Sequence, residues 1–115
     1  MNNWTVEETA FRCQRLSIRL ERLSQNFRQM GSLTVDTKDA NTVLEILRES
    51  KVFLGLTAID LDVDSAFELA QIQRQLSRWQ LHWLETWAND SSRLEISTFT
   101  QTWANRIQEM AVILV

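Results

Sequence analysis

Carboxylates at alternate positions are the nearest thing in this chain to a chemical motif. In AIDLDVDSAFELAQ, residues 58–71, Asp60, Asp62 and Asp64 are followed by Glu68. A calcium loop between two helices takes oxygens at that spacing, in the pattern D-x-[DN]-x-[DN]-G-x5-E. Laid from Asp60, the first, third, fifth and ninth positions hold acids. The sixth, which needs glycine for a sharp turn, is Ser65. The twelfth, which needs a bidentate glutamate, is Gln71. The same acids suit a helix start instead. Asp62 or Asp64 can accept from orphan N–H groups, their charge complements the helix dipole, and Ser65 with Glu68 fits a capping box. The stretch reads as a helix start. Its alternation places Ile59, Leu61 and Val63 of the preceding connector inward.

Arginines form the second constellation. Arg12, Arg15, Arg19 and Arg22 follow helical steps of three and four. They line a stripe about 80° wide beside the apolar face of their helix. Phe11 and Ile18, seven residues apart, lie beyond that stripe. Arginine and aromatic side chains are enriched where proteins meet, so this face is a candidate contact surface. The competing reading is a solvated flank whose stems cover the core edge and pair with acids. The chain supports that too: residues 12–28 carry a net charge of +4 and residues 36–68 a net of −5.

Other chemistry is thin. His82 is the single histidine and Cys13 the single cysteine, so zinc and haem sites lack ligands and no internal disulfide can form. No G-x-S-x-G nucleophile signature or glycine-rich phosphate loop appears. Enzyme activity and a bound cofactor are therefore not expected. Cys13 falls on an apolar stripe and reads as a small buried hydrophobe. Trp79, Trp83 and Trp87 repeat every four residues and should stack along one helix face. Their indole N–H groups need acceptors, for which nearby glutamines and Ser77 are available. A tryptophan-lined cavity for a small ligand is the alternative.

The elements that must position these residues are helical. Proline is absent and glycine occurs only at Gly31 and Gly55, whereas a β-sandwich needs many more turn residues. Thr5 opens a first helix with the capping box TVEE. Cys13, Leu16, Leu20, Leu23, Phe27 and Met30 give it one apolar face, and Gly31 should cap its end. A second helix starts at Asp36 or Thr37, buries Ala40, Val43, Leu44, Leu47 and Leu54, and should weaken at Gly55. A third carries Leu69, Ile72, Leu76 and the three tryptophans, with Leu84 widening the face. A fourth is expected from Ser97, burying Phe99, Trp103, Ile107, Met110 and Leu114. The helices fall at about 5–30, 37–55, 64–89 and 97–113. The expected fold is all-α, one domain of 115 residues, an antiparallel four-helix bundle with short connections.

A net charge of −3 opposes general binding to nucleic acid or anionic membranes. No apolar run approaches the roughly 18 residues of a membrane span. The opening MNNWTVEETAF lacks the basic and apolar regions of a secretory signal, so a cytoplasmic location is expected. The end, MAVILV, is apolar, and not all of it can face one core. The expected function is thus an interaction or assembly module that binds another protein or a second copy of itself. Its contact residues would be Phe11, Arg12, Arg15, Ile18, Arg19, Arg22, Ile113 and Val115. The alternative is a small-ligand or calcium-binding bundle using the tryptophan cavity or the acids from Asp60 to Glu68.

Overall fold

The computed structural model describes residues 5–114, which form six α-helices and no strand. Helix α1 is Val6–Cys13, α2 Leu16–Ser32, α3 Ala40–Ala58, α4 Val63–Leu81, α5 Trp83–Ala88 and α6 Asp90–Ile113. Two of the four expected helices are therefore divided, each to satisfy a burial demand that a straight helix fails. None of these helices is long and apolar enough to cross a membrane.

Thr5 caps α1 as its sequence implies: its hydroxyl accepts from the Glu8 backbone N–H at 3.1 Å. The helix then stops at Gln14 and Arg15, whose backbones are extended without glycine or proline. The stop swings Phe11 onto Phe53 of α3, with parallel rings 3.8 Å apart. Phe11 is buried as a result, and Cys13, expected in the core, is exposed. Burial of a large aromatic outweighs the few tenths of a kcal/mol per residue that distinguish helix formers.

Helix α2 buries Leu20, Leu23, Phe27 and Met30 on the expected face. It runs one residue past Gly31, which lies in the last turn of the helix and is not its cap. Ser24 donates to the Ala104 carbonyl of α6 at 2.8 Å, and Gly31 lies where any Cβ would meet Thr100 Oγ1 at 2.9 Å. Small residues thus set the α2–α6 packing distance. Helix α6 also corrects the expected fourth helix. It starts at Asp90, not Ser97, with Asn89 accepting from Ser92 N–H at 3.2 Å, so residues 90–96 are helical too. Its buried stripe is Ile96, Thr100, Ala104, Ile107 and Ala111, with Met110 beside it. Phe99 and Leu114, expected inside, are partly exposed.

Two short 3₁₀ turns, Leu33–Val35 and Thr37–Asp39, connect α2 to α3, and Asp36 caps the second of them. Gly55 does not weaken α3, which continues to Ala58. A Cβ there would lie 3.2 Å from Gln73 Nε2, which donates to the Lys51 carbonyl at 2.7 Å. The glycine makes room for a cross-link to α4. Because α3 continues, the connector is only residues 59–62. Ile59 and Val63, expected inward, face solvent, and Leu61 is half-buried.

Helix α4 ends at His82, and α5 turns away. The turn sends the tryptophans to different partners. Trp79 meets Phe99 and Trp103 of α6, while Trp83 and Trp87 pack together at the start of α3. Their indole N–H groups donate to Glu95, to the Ala40 carbonyl and to the Thr37 carbonyl at 2.9–3.2 Å, not to glutamines or Ser77. Leu84 is 79% exposed and widens no core face.

Helix α2 lies between α6 and α3, and α3 also packs on α4. Paired residues run in opposite directions along α2 and α6, along α2 and α3, and along α4 and α6. The remaining seam, α4 against α6, is wide: side chains bridge it where backbones do not approach closely.

Candidate interaction surface

The arginine stripe is largely consumed inside the molecule. Arg19 is 5% exposed and donates to Asp60 Oδ2 at 2.9 Å and to the Leu56 carbonyl at 3.3 Å. Arg12 reaches the other Asp60 oxygen at 3.5 Å. Arg22 pairs with Glu49 at 2.9 Å and lies over the Phe53 ring. Only Arg15 of the four stands exposed without an ion pair among the described residues. Phe11 is buried, and Ile18 is moderately exposed. Phe11, Arg12, Arg19 and Arg22 thus join α1, α2, α3 and the connector after α3 internally, and only Arg15 and Ile18 of the six stay on an outer face. Ile113 is 78% exposed, beside exposed Val112 and Leu114, as the apolar ending implied. Val115 lies outside the described residues.

The acids of residues 60–68 are likewise separated. Asp60 serves Arg12 and Arg19. Asp62 caps α4, accepting from Ser65 N–H at 3.1 Å, and that hydrogen bonding holds its carboxyl below the usual range. Glu68, expected to close a box with Ser65, instead takes Arg106 of α6 in a two-point pair, both bonds 2.8 Å. The Arg106 bonds lower the Glu68 pKa and raise that of Arg106. Among the described residues no three His, Cys, Asp or Glu side chains gather as a metal ion requires.

The wide seam leaves one aromatic-lined surface open to a partner. Between α4 and α6 runs a groove of about 380 Å³. Its apolar lining comes from Phe67 and Ile72 of α4 and Phe99 and Trp103 of α6. Its polar rim includes Glu68, Gln71, Gln75 and Arg78 on one side and Thr102 and Arg106 on the other. Trp103 is held by edge contacts from Phe27 beneath and Phe99 beside it, so the floor is fixed before anything binds. Phe67 is 62% exposed. At about 100° per residue it points away from the buried stripe of Leu69, Ile72, Leu76 and Trp79. That offset was present in the sequence and is the signal by which this aromatic could have been found. Phe99 and Trp103 gave no such signal, because they fit the spacing of a buried stripe.

Glu68–Arg106 and Trp79–Glu95 fix the α4–α6 register. They bring the apolar end of α6 to the same end of the molecule as Val63 and Phe67. The fold and site together define an all-α protein with an aromatic groove on one open seam. Comparison with known proteins finds no matching family model, no matching curated protein and no matching solved structure.

Proposed function

We propose that this protein is a non-enzymatic interaction module whose docking face is the α4–α6 groove, continued by the apolar end of α6. In this reading the four long helices α2, α3, α4 and α6 act as a bundle-like scaffold, and α1 and α5 close its ends. The observation that supports it is an exposed aromatic, Phe67, over a preformed floor of Phe99 and Trp103. Contiguous apolar surface rimmed by polar groups is characteristic of contact sites. Aromatic side chains supply much of the binding energy where proteins meet. The occupant best suited to a groove between two helices is a helix bearing an apolar stripe. In this reading the contact surface expected from the arginines moves to another face, because Arg12, Arg19 and Arg22 already have partners.

The test is affinity capture with tagged wild type, Phe67→Ser and Arg15→Glu, each verified as folded by circular dichroism. Wild type and Arg15→Glu are expected to retain the same stoichiometric partner, and Phe67→Ser to lose it. Retention by Phe67→Ser, or loss only with Arg15→Glu, overturns the assignment of the face.

A further inference from the structure

The exposed side of α4 carries a charge pattern that is its own complement. Its acids, Asp64 and Glu68, lie in the first half and its bases, Arg74 and Arg78, in the second. Asp64, Phe67, Gln71, Arg74 and Arg78 share an arc of about 80°. Asp64 and Arg78 stand seven residues on either side of Gln71. The exposed apolar residues Val63 and Leu81 stand nine residues on either side of Ile72. The aromatics follow the same centre: Phe67 protrudes near one end of the groove, and Phe99, packed on Trp79, lines it toward the other.

We propose that a second copy of this chain occupies the groove, with its α4 antiparallel to the first across a two-fold axis near Gln71. An isologous contact needs one patch that complements itself under such a rotation. Reversal places Asp64 of each copy against Arg78 of the other and Val63 against Leu81. Phe67 of each copy then enters the other's groove toward Phe99. A parallel arrangement would oppose like charges. This inference rests on the groove being a docking face and names its occupant.

The experiment uses sedimentation equilibrium of wild type, Asp64→Arg, Arg78→Asp and an equimolar mixture of the two variants. Wild type is expected at twice its 13.5 kDa mass. Each single variant opposes like charges twice in its own pair, and its dissociation constant should rise by about tenfold or more. In the mixture, both contacts between unlike variants are again of opposite sign, so association should return to near the wild-type level. That recovery also shows that both variants are folded. A monomer at all concentrations, or a mixture no tighter than its components, overturns the dimer. A monomeric protein that still loses a different partner through Phe67→Ser would leave the docking face standing and remove only the second copy as its occupant.

Discussion

At the scale of single residues, the most consequential finding is that an arginine on a helix flank became part of the interior. Arg19 is held by Asp60 and the Leu56 carbonyl, with Arg12 on the far side of the same carboxylate. A buried cation that loses its partner retains its desolvation cost. Asp60→Ala is therefore expected to destabilise by about 1–3 kcal/mol, the lower end reflecting water at the partly open carboxylate. Arg15→Glu, at an exposed site, should change stability by no more than about 0.5 kcal/mol. Urea denaturation of both variants checks the contrast, and equal effects would contradict the internal role of this cluster. The sequence made the stripe and the acidic middle visible. It did not rank the partners, because a spacing of three and four says which residues share a face and not which face is covered.

At the scale of elements, the helices end where packing requires. Capping explains Thr5, Asp62 and Asn89, each of which accepts from a first-turn N–H. It does not explain the breaks at Gln14 and His82. No helix breaker sits there, so periodicity runs through both. The extended Gln14 frees Phe11 to stack on Phe53, and the turn at His82 frees Trp83 and Trp87 to reach carbonyls at the start of α3 and just before it. The glycines mislead in the opposite sense. Gly31, in the last turn of α2, and Gly55, inside α3, are both helical positions that a side chain of another helix approaches closely. A testable consequence lies at Gly31. Alanine there should gain about 1 kcal/mol of helix propensity but collide with Thr100 Oγ1, which is hydrogen-bonded to the Ile96 carbonyl at 2.6 Å. Gly31→Ala is expected to be net destabilising in wild type and stabilising in a Thr100→Ala background. A double-mutant cycle by thermal denaturation reads the difference, and additive effects would show that the approach is not tight.

At the scale of the whole molecule, one seam is left wide and is clasped by charge. Glu68 and Arg106 join α4 to α6 through two hydrogen bonds, and Arg106 also reaches Glu109 at 3.3 Å. Both partners are substantially exposed, so the clasp contributes at most about 1 kcal/mol. Its pH dependence has a definite sign. Folding lowers the Glu68 pKa below its ordinary 4.5, so the contribution is fully present above that value and disappears as pH falls through the folded value. Glu68→Gln should lower the melting temperature by about 2–4 °C at neutral pH. The difference from wild type should vanish in acid. A difference that persists unchanged below the folded pKa would show that it arises from something other than this ion pair.

What the sequence by itself determined is the all-helical class, the N-caps at Thr5 and Asp62, and most of the core stripes of α2, α3 and α4. These depend on local backbone chemistry and on a period that burial imposes on any amphipathic helix. What only the tertiary structure decided is where the long helices break, which arginines and tryptophans find internal partners, and which seam stays open. Those depend on residues far apart in the chain competing for one volume. Phe67 and Phe99 are both apolar and both helical, and only the spacing between α4 and α6 makes them the two walls of a groove.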